Sequence, residues 1–193
     1  MALKANLVNK MTKHVVIAGY GYLGKELARL FLEHNFRVTV IKRTQIEKVD
    51  GINFVYTDIC DLKKRHIPQA DLAFYLLSPD SFSECEYDKT FVKGISAFCN
   101  ALNGANVEKI IFSSSTSVYE QKDGSIVNEK TKTNPKMFPG KKILEGEKIL
   151  ESIDIDTFCL RFSGIYGPGR DKIVNTINKV NNLHSFSNRI HKE

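Results

Sequence analysis

His14-Val15-Val16-Ile17-Ala18-Gly19-Tyr20-Gly21-Tyr22-Leu23-Gly24-Lys25-Glu26-Leu27 is the stretch on which the reading of this chain turns. An apolar, β-branched run stops at a pair of glycines and continues as a helical pattern, with Leu23, Leu27, Leu30 and Phe31 on one face. It reads as a buried strand, a tight turn and a helix N-terminus. Gly19 takes the turn, Gly21 lets the backbone approach a pyrophosphate, and Gly24 lets the helix pack against the strand. The first amides of such a helix lack intrahelical acceptors and sit at the positive end of its dipole, so an anion belongs there. Gly19, Tyr20, Gly21, Tyr22, Leu23 and Gly24 thus make a candidate dinucleotide cradle. A G-x-G-x-x-G alone is a weak signal, and a plain strand–helix turn is its alternative. The setting between a buried strand and an amphipathic helix is what gives it weight.

Outward from this stretch, strand and helix patterns alternate. Residues 36–41, 53–57, 71–77, 109–113 and 156–161 read as further strands. A helix is expected over 87–102, with Phe91, Ile95, Phe98 and Leu102 on one face. Another begins near Pro139-Gly140 and carries Ile143, Leu144, Ile149 and Leu150, after a polar, turn-rich segment over 120–134. Such alternation calls for crossover helices and a parallel sheet covered on both faces. Right-handed crossovers then favour an α/β, Rossmann-like doubly wound sheet with helices on both faces.

The length of 193 residues suggests one domain or slightly more. The expected division is an N-terminal extension over 1–12, a nucleotide-binding domain over 13–170, and the start of a further region over 171–193. Apolar residues make up 42% and charged residues 26%, which fits an ordinary soluble globular protein. No apolar run is long enough for a membrane span, and the first dozen residues do not resemble a signal peptide. Cys60, Cys85, Cys99 and Cys159 are scattered without a C-x-x-C pair, so free cytoplasmic thiols are expected and a metal site is not. The net charge of +6 is spread along the chain with no basic stripe, which argues against nucleic acid as a partner.

The end of the second strand is where a dinucleotide fold meets the adenosine ribose. An acid there would bind the ribose hydroxyls of NAD, but Lys42-Arg43-Thr44 stands in its place. A guanidinium can fork onto a 2′-phosphate and stack on adenine, which favours NADP over NAD. Two solvated loop cations are the alternative. Asp58-Ile59, after the third strand, suits an adenine contact or a turn acid capping Asp61-Leu62. The strand-end residues Leu76, Leu77, Ser113 and Phe162 complete the cofactor-binding candidates.

Two further segments carry a family resemblance. Phe112-Ser113-Ser114-Ser115-Thr116-Ser117-Val118-Tyr119 resembles the segment after the fifth strand of the extended short-chain dehydrogenases, the NAD-dependent epimerase/dehydratase superfamily. Leu160-Arg161-Phe162-Ser163-Gly164-Ile165-Tyr166-Gly167-Pro168-Gly169-Arg170 resembles that superfamily's segment after the sixth strand. The resemblance runs from about Lys13 to the C-terminus. A glycine turn one residue short of the usual extended form marks an atypical branch, similar to bacterial NAD(P)-binding epimerase/dehydratase-like proteins.

The resemblance implies Ser115 as the catalytic serine that orients a substrate oxygen. It also implies a lysine, matched by Lys142, that holds the nicotinamide ribose and lowers the pKa of a tyrosine four residues earlier. A nearby cation favouring phenolate is the physical reason for that spacing. Phe138 occupies the tyrosine position, and a phenyl ring has no proton to exchange. Aligning on Lys141 instead puts Met137 there. The family's supporting asparagine is replaced by Phe91. Tyr119 is the nearest surviving phenol and the candidate substitute acid, although the family's tyrosine there more often packs or walls the substrate. A hydroxyl-rich loop over 113–117 and a solvated helix lysine at 142 are the bland alternatives.

Asn188-Arg189-Ile190-His191 looks like the start of the family's next segment, so the substrate lobe is expected to be largely missing. His184 and His191 are expected to be surface residues. Three readings follow. One is an NADP-using oxidoreductase or epimerase-like enzyme acting on a sugar nucleotide or small carbonyl compound. Another is a catalytically inactive NADP-binding regulatory or sensor module, and the last is a structural remnant. For assembly, the resemblance implies a homodimer built from two helices of each subunit.

Overall fold

In a computed structural model of the chain, the residues described are 12–121, 123–170 and 189–191. The expectations for residues 1–11, for His184 and for the stretch over 171–188 lie outside them. The elements are β1 (His14–Ala18), α1 (Tyr22–Glu33), β2 (Arg37–Lys42), β3 (Ile52–Tyr56), β4 (Leu72–Tyr75), α2 (Glu84–Asp88), α3 (Gly94–Leu102), β5 (Lys109–Ser115), α4 (Phe138–Glu151), β6 (Asp156–Phe162), β7 (Gly164–Tyr166) and β8 (Arg189–His191). Strands β1 to β6 form one parallel sheet in the order β3-β2-β1-β4-β5-β6, and β7 pairs with β8 separately. This is the Rossmann-like doubly wound arrangement. Its strand order reverses between β1 and β4, and ligands of such sheets bind at the carboxyl ends beside that point.

Strand β1 is buried at every position, and its side chains alternate between two cores. Val15 and Ile17 pack with Val38, Val40 and Ala28 of α1. Val16 and Ala18 face Tyr75, Ile95, Phe98, Phe112, Ile143 and Leu150 under α3 and α4. A two-residue period and a doubly covered strand account for the continuous apolar run.

The helix expected over 87–102 starts earlier, at Glu84, where the Ser83 hydroxyl accepts from the Glu86 amide and caps it. It is also not uniform, because Lys89–Lys93 forms a π turn between α2 and α3. The buried Tyr75 hydroxyl donates to the Thr90 carbonyl inside that turn at 2.5 Å. A Cβ on Gly94 would lie 2.4 Å from the same hydroxyl, so Gly94 admits the phenol. Apolar periodicity alone does not register such a widening, which tertiary contacts impose.

The two faces of the sheet are not equally covered among the described residues. On the α1 side, Phe158 is 49% and Leu160 45% exposed, beside an apolar groove of about 230 Å³ that also takes in Leu27, Leu30, Phe74 and Ile111. No helix among the described residues is long and apolar enough to cross a membrane.

Candidate functional site

The turn after β1 is built around its glycines. Gly19 has φ +107°, a left-handed conformation costly for any residue with a side chain. A Cβ on it would also meet the Leu76 carbonyl at 3.0 Å. Its amide donates to the Ile41 carbonyl at 2.9 Å, and the Leu76 amide donates to the Ala18 carbonyl at 2.8 Å. The turn is thereby fixed against both neighbouring strand ends. A Cβ on Gly24 would land 2.0 Å from the Gly19 carbonyl oxygen, so helix and turn touch backbone to backbone. Around Gly21 there is open space, with nothing within 4 Å of a hypothetical Cβ.

The first turn of α1 contains no acid, and Gly21 at its N-cap supplies no side-chain acceptor. The positive dipole end of α1, beside the open space around Gly21, fits a pyrophosphate. Arg170 brings its guanidinium 5.0 Å from the centre of the Tyr22 ring, adding positive charge to this end of α1.

Beside the turn opens a cleft of about 190 Å³ into which the structure gathers Gly19, Tyr20, Lys42, Arg43, Thr44, Ile59 and Leu77. Asp80, Glu86 and Lys89, which the sequence reading did not single out, line it too. Arg43 makes a two-pronged ion pair with Asp80, Nη1 to Oδ2 at 2.7 Å and Nη2 to Oδ1 at 3.0 Å, and lies 4.0 Å from Asp58. Lys42 donates to the Thr44 carbonyl. Asp58 caps the short turn Ile59–Asp61 by accepting from the Cys60 amide at 3.0 Å, and it pairs with Lys89 at 2.8 Å. Its carboxyl is held below the usual range, chiefly by the Lys89 ammonium. The Asp58 carboxylate thus caps at the Cys60 amide, one residue before the expected Asp61-Leu62.

Other cofactor candidates sit elsewhere. Leu23, Leu76, Ser113 and Phe162 line the apolar groove on the α1 side of the sheet, apart from the cleft that holds Arg43. Leu76 and Leu77 are neighbours in an extended segment and therefore point to opposite faces.

The candidate catalytic residues lie on the turn that follows β5 and in the first part of α4. Ser115 accepts from the Ser117 amide at 3.1 Å, capping the short turn Thr116–Val118. A Cβ on Gly140 would fall 2.1 Å from the Ser117 carbonyl oxygen, so the start of α4 lies directly on that turn. Lys142, two residues further along α4, is bound by Asp88 of α2 at 3.0 Å and by Glu145 at 3.1 Å. Asp88 first and Glu145 second hold its pKa above the ordinary lysine value. Phe138 opens α4 and packs against Phe82 at 5.0 Å and Tyr87 at 5.4 Å between ring centres. Phe91 is buried against Tyr87 and Phe112.

Tyr119 donates its hydroxyl proton to the Asn128 carbonyl at 2.8 Å and accepts from Arg161 Nη1 at 2.9 Å. Arg161 is itself gripped by Glu147, which is 1% exposed and also accepts from the Ser114 hydroxyl at 2.5 Å. The sequence reading missed this network. One signal was available: Glu147 stands on the apolar stripe of α4 between Ile143 and Leu150, and a buried acid requires a partner.

Comparison with known proteins adds four relationships. The profile of the 3-beta hydroxysteroid dehydrogenase/isomerase family matches residues 15–193. Protein YeeZ of Escherichia coli strain K12 is 30% identical over 172 residues, 82% of this chain and 61% of that protein. The decarboxylating sterol-4-alpha-carboxylate 3-dehydrogenase of Mus musculus is 26% identical over 184 residues, 88% of this chain and 50% of the enzyme. Among solved structures, a protein of Methylobacillus flagellatus provisionally classed as an NAD-dependent epimerase/dehydratase superposes with a TM-score of 0.75 at 30% identity. That match covers 93% of this chain and 65% of the other. The chain thus spans between half and two thirds of the length of these relatives.

Proposed function

The chain belongs to the 3-beta hydroxysteroid dehydrogenase/isomerase family, and so to the extended short-chain dehydrogenases; from that premise we propose that it binds NADP(H) in the cleft beside β1. The observation that carries this reading is the convergence of Gly19 and Tyr20 of the glycine turn with Lys42, Arg43 and Thr44 around one cleft. The α1 amides and Gly21 would hold the pyrophosphate, and Arg43 would fork onto the 2′-phosphate. Ile59 and Leu77 would wall the adenine side. The family's dependence on a nicotinamide dinucleotide supports the coarser assignment, and the paired cations of this chain support the phosphorylated form.

Bound NADP(H) would supply hydride transfer to or from a carbon bearing oxygen. A sugar nucleotide or a small carbonyl compound is the proposed substrate class, in keeping with the epimerase/dehydratase class of the Methylobacillus relative. Ser115, at the carboxyl end of β5, would orient the substrate oxygen. Lys142 would stay charged through Asp88 and Glu145 and present a cation beside it.

Two features favour a second reading, a module that binds the dinucleotide without turnover. Phe138 offers no proton, and the Tyr119 hydroxyl already serves Asn128 and Arg161. One experiment separates the readings: titrate the chain and an Arg43→Asp variant with NADPH and NADH, then screen carbonyl compounds and sugar nucleotides for NADPH oxidation. NADPH binding that the variant loses, with turnover, supports the enzyme. Binding with no turnover on any substrate supports the module, and an absence of binding removes both.

A further inference from the structure

We infer that Asp80 is a specificity-determining residue of this cleft, holding the Arg43 guanidinium fork that a 2′-phosphate would use. The inference rests on the proposed dinucleotide site. Asp80 lies in the loop after β4, 37 residues from Arg43, and reaches across the cleft to it. Both of its oxygens meet both terminal nitrogens of the guanidinium, at 2.7 and 3.0 Å. Arginine grips a phosphate with the same two parallel N–H groups.

The remaining cations of the cleft are likewise engaged. Lys89 is on Asp58 at 2.8 Å, and Lys42 is on the Thr44 carbonyl. Glu86 contributes a further negative charge to the lining. A 2′-phosphate therefore enters a cleft whose arginine already has an anionic partner. It must either displace the Asp80 carboxylate or sit beside it against like charge.

With a dinucleotide in this cleft, Asp80 would also restore what the sequence lacks at the end of β2, a carboxylate beside the ribose. A carboxylate accepts from a ribose 2′-hydroxyl and repels a 2′-phosphate. Both effects lower the preference for the phosphorylated dinucleotide. Arg43 and Asp80 are 54% and 56% exposed, so their pair is weak enough to exchange. It adjusts selectivity and does not close the site.

The test is a double-mutant cycle on the 193-residue chain: wild type, Asp80→Asn, Arg43→Ala and the double variant, each titrated with NADPH and with NADH. Asp80→Asn is expected to raise the ratio of NADPH to NADH affinity by about fivefold, the scale of one exposed pair, and to have a smaller effect once Arg43 is alanine, where only the direct effect of the carboxylate is left. Asp80→Glu, which keeps the carboxylate, is expected to stay near the wild-type ratio. An unchanged or lowered ratio in Asp80→Asn overturns the inference, as does a rise that is just as large without Arg43. A wild type that prefers NADH overturns only the NADP assignment, because the shift of the ratio still decides the role of Asp80. If neither dinucleotide binds wild type or variants, the proposed function and this inference fall together.

Discussion

Arg161 holds Glu147 with two hydrogen bonds, Nε to Oε1 at 3.0 Å and Nη2 to Oε2 at 2.7 Å, tying β6 to α4 beneath the turn that carries Ser115. Glu147 is withdrawn from water, while Arg161 keeps a partly exposed side chain. Removing one partner of such a pair strands a buried charge, whereas an apolar pair of similar volume need not destabilise. Arg161→Met, which strands the buried Glu147 carboxylate, is expected to cost about 3 kcal/mol and to lower Tm by roughly 10 °C in a chain of this size. The double variant Glu147→Leu with Arg161→Met should recover part of that loss. Equal melting temperatures for the single variant and wild type would show that the pair contributes nothing.

Gly24 fixes the distance between α1 and the β1 turn. A methyl group there would sit 2.0 Å from the Gly19 carbonyl oxygen, and backbone must move to admit it. Gly24→Ala is expected to destabilise by about 1–3 kcal/mol, as overpacking does. Calorimetry should also register weaker NADPH binding, by tenfold or about 1.4 kcal/mol, because the displaced amides are those proposed to face the pyrophosphate.

Phe138→Tyr restores a hydroxyl four residues before Lys142, within a ring cluster whose nearest partner, Phe82, is exposed. If the chain is an enzyme impaired only in proton transfer, turnover should rise by about a hundredfold or more, the usual contribution of a positioned acid or base. Stopped-flow NADPH oxidation against carbonyl substrates reads this directly. Turnover absent from both proteins favours the binding module.

The buried His14 ring bonds the Gln69 carbonyl through Nδ1 at 2.9 Å and meets the Thr39 hydroxyl through Nε2 at 2.9 Å. A carbonyl only accepts, so Nδ1 carries the proton and neutral Nε2 accepts from Thr39. Burial first, then the nearby Arg37 charge, lowers its pKa below 6.5 against the opposing pull of the Gln69 carbonyl and Asp71. A histidine kept neutral by folding contributes stability that is complete above the unfolded pKa and is lost as pH falls through the folded one. Urea midpoints are therefore expected to drop on going from about pH 7.5 to about pH 5 more steeply in wild type than in His14→Gln. Parallel pH dependence in the two proteins would refute the assignment.

Sequence alone determined the doubly wound class and the glycine turn. These rest on local regularities: β-branched runs, a glycine wherever backbone meets backbone, and apolar residues at helical spacing. The loss of a hydroxyl at Phe138 was equally legible, because residue identity settles it. What only the tertiary structure decided is which charges meet. Asp80 reaches Arg43 across 37 residues, Asp88 reaches Lys142 from another helix, and Glu147 meets Arg161 between helix and strand. The π turn at Lys89–Lys93 and the split of Leu76 and Leu77 between two sides of the sheet belong with them. Periodicity encodes which side of an element is buried, whereas partners of a charge or a hydroxyl are set by chain segments brought together only when the sheet closes its long-range contacts.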